Sequence, residues 1–273
     1  MAYILIDGVN IYYDIPRGRG NDKEQVLTLL IHGAGGSSRH WEPLLAHLSQ
    51  QFCPLLIDLP GHGLSGGTVP TSVGQVVTLL EHFLQQLEVK QPLWCIGHSM
   101  GGLIAQCFAL RFPLRVERLV LIATAARIRL HQDFVQSTLI GHWDLEAFRP
   151  SFDADVPMQI QNLVLYEYLK TRVDDGCTDF MGLSTTDLRQ EVSALTMPVL
   201  IIVGDDDVII SPRHSRALSQ ALAHATLLVI PNAGHYIHVE QPQRLAHELD
   251  QYRNAGSQIQ AGYGSHYLIR DAI

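Results

Sequence analysis

Three kinds of residue that together can perform acyl transfer follow short apolar runs in this sequence. Ser99 stands at the centre of a Gly-x-Ser-x-Gly pattern over 97–101, consecutive aspartates occupy 205–207, and His235 follows an Ala-Gly pair. A serine hydroxyl needs a base to remove its proton, and an imidazole can do this near neutral pH. We therefore predict that Ser99 is a nucleophile, that His235 is its base, and that one buried aspartate orients the histidine.

Each of these residues also has a simpler alternative role. The serine pattern could be a glycine-rich turn with a structural serine, and a lone histidine is usually structural. His238 competes with His235 as the base, but no glycine precedes it and it is expected on the first turn of a helix. The aspartates could suggest a metal, yet no obvious ligand set accompanies them, and hard cations gather oxygens at alternating spacing. We predict no metal site.

A glycine-rich loop, His-Gly-Ala-Gly-Gly over 32–36, follows another apolar run. Two peptide N–H groups aimed at one point can stabilise a developing oxyanion. We predict that the Ala34 and Met100 N–H groups form such an oxyanion hole, and that His32 braces the loop. The alternative is an anion-binding or plain connecting loop, although the Gly-Lys-Ser/Thr of a P-loop is absent.

Short apolar runs recur along the chain and predict strands. The runs 3–6 and 9–13 flank Asp-Gly, a strong hairpin signal. Further runs alternate poorly, as expected for strands buried on both faces: 27–31, 54–57, 93–96, 119–123, 199–203 and 227–230. Helical spacing over 78–87 and 103–112 separates some of them. This order predicts a mostly parallel sheet with helices on both faces, whose carboxyl-end loops bring the reactive residues together.

One long stretch breaks this alternation because it contains no clear central strand. Its aromatic residues lie among polar ones, which favours a helical insertion over one end of the sheet; ordinary crossover helices are the alternative. We predict an α/β core formed by 1–124 and 197–273, and a helical cap over 125–196. The sequence does not identify the substrate-binding residues as it does the predicted catalytic ones, although a cap residue such as Trp143 is a candidate.

Composition narrows the partners. The formal net charge of −8 at pH 7 is an argument against nucleic acid or an anionic membrane. No apolar run approaches the roughly 20 residues of a membrane helix, and no secretory signal is visible. Cys95 and Cys107 fall in apolar segments, which favours buried thiols in a reducing compartment. We expect a cytoplasmic protein; the tail after Tyr252 is weakly patterned, and nothing signals an oligomeric state.

Taken together, these patterns resemble the α/β-hydrolase family over nearly the whole chain. The matching pieces are 32–36 with Trp41, Asp-Leu-Pro-Gly-His-Gly-Leu-Ser over 58–65, 97–102, 198–207, and 233–235 with Glu-Gln-Pro over 240–242. In that family the acid ends a Gly-x-x-Asp pattern, so the resemblance implies Asp207, and the order Ser99, Asp207, His235 is the family's own. It also implies the α/β-hydrolase fold with a cap, and acyl chemistry without a cofactor.

The reaction implied is hydrolysis of a small to medium, mostly apolar carboxylic ester through an acyl-enzyme. The alternative is a same-triad relative: a carbon-carbon bond hydrolase, a lyase of the menaquinone-synthesis type, or an acyltransferase or perhydrolase. Arg127 and Arg129 could then bind a substrate carboxylate, although solvated arginines are the simpler interpretation. A non-catalytic ligand-binding module is a more distant alternative. The family's dehalogenases and epoxide hydrolases usually carry aspartate at the position of Ser99, which disfavours both.

Overall fold

A mixed sheet forms the centre of the computed structural model, which describes residues 2–16, 25–129 and 143–259. Its strands are Ala2–Ile6 (β1), Val9–Asp14 (β2), Val26–Ile31 (β3), Phe52–Ile57 (β4), Leu93–His98 (β5), Val116–Ile122 (β6), Val199–Gly204 (β7) and Ala225–Ile230 (β8). They lie in the order β1-β2-β4-β3-β5-β6-β7-β8. Pairs β1–β2 and β2–β4 are antiparallel and the other neighbouring pairs are parallel, which confirms the predicted mostly parallel sheet.

The strands form where the sequence gives continuous apolar runs. Every residue of β4, β5 and β7 is buried, because other layers cover both faces of the sheet. The β1–β2 hairpin turns at Asp7 and Gly8, whose φ values are 49° and 84°. A tight two-residue turn needs two such left-handed residues, and Asp-Gly supplies them.

Helices cover both faces of the sheet. They are Glu42–Leu45 (α1), Val73–Gln86 (α2), Met100–Arg111 (α3), Leu145–Phe148 (α4), Met158–Tyr168 (α5), Val173–Thr185 (α6), Pro212–Ala221 (α7), Ile237–Glu240 (α8) and Pro242–Ile259 (α9). Leu80 and Phe83 of α2 pack in one apolar cluster with Phe108 of α3. Leu44 of α1 and Leu249 of α9 pack in a second cluster. The two clusters lie on opposite faces, since alternate residues of the central strands belong to each.

The described residues between β6 and β7 form helices joined by loops and contain no strand. Phe148, Val164 and Phe180 from α4, α5 and α6 are buried in the first apolar cluster. Residues 130–142 of the predicted cap and the tail beyond Ile259 lie outside the described residues. Within the described ranges, no helix is both long and apolar enough to cross a membrane.

Candidate active site

Ser99 occupies the turn between β5 and α3 in a strained backbone conformation. Its φ and ψ are 53° and −116°, a combination that residues with a side chain rarely adopt. The Ser99 N–H donates to the Ile122 carbonyl at 2.9 Å, and the Thr124 hydroxyl donates to the Ser99 carbonyl at 2.8 Å. A side chain at Gly101 would collide with the Ile31 carbonyl. The turn keeps its strain because the adjacent strands and the close approach of α3 fix it.

His235 and Asp207 form a buried hydrogen-bonded pair. The His235 Nδ1 lies 2.9 Å from the Asp207 Oδ2, and the two side chains are only 3% and 0% exposed. The other Asp207 oxygen accepts the Ile209 and Ile210 N–H groups at 2.9 and 2.8 Å. This carboxylate therefore holds a proton on Nδ1 and leaves Nε2 available as a base. The aspartates at 205 and 206 are exposed.

One cavity at the carboxyl end of the sheet is lined by both Ser99 and His235. Ala34 of the glycine-rich loop lines it as well, and Tyr168 and Phe180 reach it from α5 and α6. No Asp, Glu, Lys or Arg lines it within the described ranges. The structure thus brings the predicted nucleophile, base and one predicted oxyanion donor to a single uncharged cavity.

The glycine-rich loop is braced by His32. The His32 Nδ1–H donates to the Gly33 carbonyl at 2.8 Å, and Nε2 accepts the Leu59 N–H at 3.0 Å. Burial lowers the pKa of His32 well below 6.5, so the ring is neutral. The N–H groups of Ala34 and Met100 have no hydrogen-bond partner within the described part of the chain, so both are available to a ligand.

A buried ion pair joins His62 to α6, and its carboxylate also binds the glycine-rich loop. His62 Nε2 lies 2.8 Å from Asp179 Oδ2, with the side chains 1% and 3% exposed. That oxygen also accepts the Gly35 N–H at 2.8 Å, and His62 Nδ1–H donates to the Pro60 carbonyl at 3.0 Å. Burial alone lowers the pKa of His62, but the Asp179 charge and the hydrogen bonds outweigh it and raise the pKa above 6.5. An imidazolium and a carboxylate therefore tie α6 to the core.

Glu240 organises the loop that carries His235. Its carboxylate accepts the N–H groups of the two residues flanking His235, both at 2.8 Å, and the Asp153 N–H at 3.0 Å. The His235 N–H itself donates to the Ser151 carbonyl at 2.6 Å. Residues 151–153, which precede α5, therefore share the backbone hydrogen bonds of the histidine loop.

Comparison with known proteins identifies the family. Residues 28–248 match the profile of the alpha/beta hydrolase family. The chain belongs to this family. Similar relatives include a 3-oxoadipate enol-lactonase from Acinetobacter baylyi, 27% identical and covering 81% of this chain and 86% of that protein. Another is a pimeloyl-(acyl-carrier protein) methyl ester esterase from Nitrosospira multiformis, 26% identical over 79% and 90%. The predicted family is confirmed, and the protein is a hydrolase.

Solved structures confirm the α/β-hydrolase fold. The enol-lactonase from Burkholderia xenovorans superposes with a TM-score of 0.85 at 24% identity, covering 93% of this chain and 100% of that one. A thermophilic esterase from Thermogutta terrifontis superposes with a TM-score of 0.82 at 21% identity, covering 93% and 98%. At these identities the likeness concerns the fold alone.

Three residues considered as substrate contacts lie elsewhere in this alpha/beta hydrolase. Arg127 Nη1 lies 3.3 Å from the Asp187 carboxylate, and Arg129 is exposed. The Trp143 Nε1–H donates to the Thr171 carbonyl at 2.8 Å, and its ring packs against aromatic residues from α4, α5 and α6. None of the three lines the cavity that holds Ser99.

Sequence reasoning missed the polar residues on the hydrolase cavity wall, which are His40, His98, Tyr168 and Tyr236. His98 lies within the serine pattern and Tyr236 follows His235, so adjacency was the available signal. Tyr168 is one of several aromatic residues of the predicted insertion, and nothing in the sequence marks His40. Burial lowers the pKa of His40 to about 4 and that of His98 well below 6.5. Both imidazoles are therefore neutral near pH 7.

His238 lies on α8 and does not line the cavity. Its ring centroid is 4.4 Å from that of His98 and 4.6 Å from that of Trp41. Neither ring nitrogen has a hydrogen-bond partner among the described residues, and burial lowers its pKa well below 6.5. Unlike His235, it meets no carboxylate of the described residues that could fix its tautomer.

Proposed function

We propose that this hydrolase cleaves carboxylic esters, with Ser99 as nucleophile, His235 as base and Asp207 as the orienting acid. The observation that carries the proposal is the 2.9 Å bond between His235 Nδ1 and Asp207 at the cavity that Ser99 lines. Relatives named as an enol-lactonase and a methyl ester esterase support an ester or lactone as the bond that is broken.

The proposed reaction has two halves. His235 Nε2 removes the Ser99 proton, Ser99 Oγ attacks the carbonyl carbon, and the collapsing intermediate expels the alcohol, which takes the proton back from His235. Water then attacks the acyl-enzyme with His235 again as base, and the acid leaves. The Asp207 carboxylate orients His235 and stabilises the imidazolium at both steps.

The Ala34 and Met100 N–H groups would stabilise the negative oxygen of each tetrahedral intermediate. Met100 is the first residue of α3, where the helix dipole adds positive potential. Both N–H groups are without a protein partner in the described ranges, which leaves them free for the oxyanion. Losing one such donor typically lowers the rate on the order of 100- to 1000-fold.

The cavity wall supports an uncharged, mostly apolar substrate of small to medium size. Phe180, Leu183 and Ile209 contribute apolar surface, and the buried imidazoles of His40 and His98 on the wall are neutral because burial lowers their pKa values. We assign 125–196 as the cap over this site, because its α5 and α6 supply part of the wall. Within the described part of the chain, Cys95 and Cys107 form no disulfide, which supports a cytoplasmic location.

Hydrolysis of p-nitrophenyl esters from acetate to decanoate tests the proposal. Wild type should turn over, Ser99→Ala should lose nearly all activity, and the exposed Ser184→Ala should match wild type. The chain-length optimum would size the acyl pocket. If no ester is turned over and a fluorophosphonate does not label Ser99, the catalytic assignment is refuted. If Ser99 is labelled but no ester is turned over, hydrolysis of simple esters is refuted, and one of the other reactions that use the same triad is favoured.

A further inference from the structure

Tyr168 and Tyr236 form a hydroxyl pair on the wall of the cavity. Their oxygens are 2.5 Å apart, and the residues are only 5% and 2% exposed. Both line the cavity together with Ser99 and His235. The Tyr168 ring packs against Gly35 of the glycine-rich loop, where a side chain would collide with it. The pair therefore stands between the loop of the proposed oxyanion hole and the loop of the histidine.

This pair holds one more hydroxyl proton than its own hydrogen bond uses. One phenol O–H donates to the other oxygen, and the second O–H has no acceptor within the described part of the chain. Burial raises the pKa of Tyr168 to about 12 and that of Tyr236 well above 10, so both protons stay in place. A buried donor without an acceptor is costly, and the cavity beside it can receive one from a ligand.

The cavity offers the pair no cationic partner within the described lining, and burial and the nearby carboxylates of Asp179, Asp207 and Glu240 raise the pKa values of the two tyrosines. The neutral ring of His40 lies 6.0 Å from that of Tyr168, and the neutral ring of His98 lies 5.4 Å from that of Tyr236. Phe152 stacks on Tyr236 at 4.7 Å. An anionic group placed here would lose its hydration without meeting a cation of the described lining. The acceptor that fits is an uncharged oxygen.

We propose that the Tyr168–Tyr236 pair is a donor subsite for a second carbonyl oxygen of the substrate, so that the preferred substrates are uncharged oxo esters or oxo lactones. This inference rests on the proposed function, because it names the substrate class of the same cavity. A carbonyl accepts the remaining O–H proton, whereas a methylene at that position leaves it unpaired. One neutral hydrogen bond corresponds to about a fivefold difference in kcat/KM.

Hydrolysis of methyl hexanoate and its 3-oxo, 4-oxo and 5-oxo derivatives, followed by titration of the released acid, measures that difference. Wild type should favour at least one oxo ester by about fivefold. The Tyr168→Phe/Tyr236→Phe double variant should lower this ratio of kcat/KM values about fivefold relative to wild type, which leaves only the intrinsic difference in reactivity between the two esters. The ratio compares two substrates on one protein, so a change in folded fraction cancels.

Tyr166→Phe is the matched control, because this tyrosine is on the same helix, α5, but 56% exposed. It should keep the wild-type ratio. A wild type without oxo preference, or a double variant that retains the preference, would overturn the subsite.

Failure of ester hydrolysis as such is a separate result. If no ester is cleaved, the proposed function fails, and the subsite is then decided by binding of the same esters to Ser99→Ala, measured by ligand-observed NMR titration. An oxo ester should bind about fivefold more tightly than methyl hexanoate, and this advantage should vanish when both tyrosines are phenylalanine. Equal affinities would overturn the proposal.

Discussion

Replacing Asp179 by asparagine removes the negative half of the ion pair that joins α6 to the core. His62 would keep its bond to the Pro60 carbonyl, but its Nε2 would face a neutral amide. The amide oxygen can still accept the N–H groups of His62 and Gly35, but it carries no charge to stabilise an imidazolium. Breaking a buried pair by removing one partner typically costs about 3–5 kcal/mol. We expect a loss of about 3 kcal/mol in the free energy of unfolding, because His62 can release its proton and avoid the full penalty.

The pH dependence of this loss carries the sharper test. The folded-state pKa of His62 is raised above its unfolded value near 6.5, so its contribution to stability is complete below pH 6.5 and disappears as pH rises through the folded pKa. Within that window the wild type should lose up to about 1.4 kcal/mol per pH unit from this group. Asp179→Asn should lack this decline, so the difference between the two proteins should be greatest near pH 6 and narrow toward pH 9.

Urea unfolding at pH 6, 7, 8 and 9, followed by tryptophan fluorescence, measures both effects. At an m value of about 2–3 kcal/mol/M, the midpoint should fall by about 1 M at pH 6. Asp174→Asn is the matched control, since this aspartate lies on the same helix, is 82% exposed and pairs with the exposed Arg172 at 3.6 Å. Its midpoint should move far less than that of Asp179→Asn, by no more than the small contribution of a carboxylate in the first turn of a helix. A constant difference from pH 6 to 9, or an Asp179→Asn midpoint equal to the control's, would show that His62 is not held as an imidazolium.

Three further outcomes follow from single residues. His238→Phe should leave the free energy of unfolding at pH 7 unchanged or higher, since neither ring nitrogen of His238 is paired in the described ranges. Below pH 6.5 the wild type should lose up to about 1.4 kcal/mol per pH unit from His238, because burial lowers the pKa of this residue in the folded state and the unfolded chain binds the proton first. Equilibrium unfolding should show that the variant lacks this loss. An unchanged acid limb would contradict this. Ser99→Gly should unfold with about 1 kcal/mol more stability than Ser99→Ala, because glycine accepts a φ of 53° without strain; equal stabilities would mean an unstrained turn. Glu240→Gln should lower kcat for esters on the order of tenfold with little change in KM, because an amide oxygen replaces a carboxylate that fixes the histidine loop; a wild-type kcat would contradict it.

The strands could be predicted from the sequence because burial on both faces of the sheet requires continuous apolar runs. The predicted strand ends were wrong where a charged residue or a proline interrupts the apolar run. Strand β6 begins at Val116, three residues before the predicted run, because Arg118 is accommodated between the Trp94 and Tyr252 rings at 5.0 and 5.2 Å. Strand β4 begins before Pro54, where the prediction started. Among the described residues, β2 pairs with β4 only at Leu56 and Ile57. Pro54 therefore has no β2 partner that would need its missing N–H, and β4 tolerates the proline.

The candidate site divides in the same way. Ser99, His235 and the aspartates at 205–207 could be predicted to meet because each follows a strand and therefore reaches the same edge of the sheet. The choice of Asp207 among the three aspartates comes from the family resemblance. Asp179 and Tyr168 could not, since they lie in helices whose position over the core depends on tertiary contacts. Asp179 belongs to a helix with other aspartates and no distinctive spacing, and it acquires a role only through His62 and Gly35.

Hydrogen bonds between the proposed cap and the loops that carry the proposed catalytic residues constrain how this hydrolase can be redesigned or diversify. The Ser151 carbonyl accepts the His235 N–H, Glu240 binds the Asp153 N–H, and Asp179 holds the Gly35 N–H. A cap grafted from another hydrolase would have to supply a carbonyl, an N–H and a carboxylate at these positions before its new pocket could matter. Selectivity in this chain is therefore more readily changed by side-chain exchange within the existing cap than by transplanting a whole one.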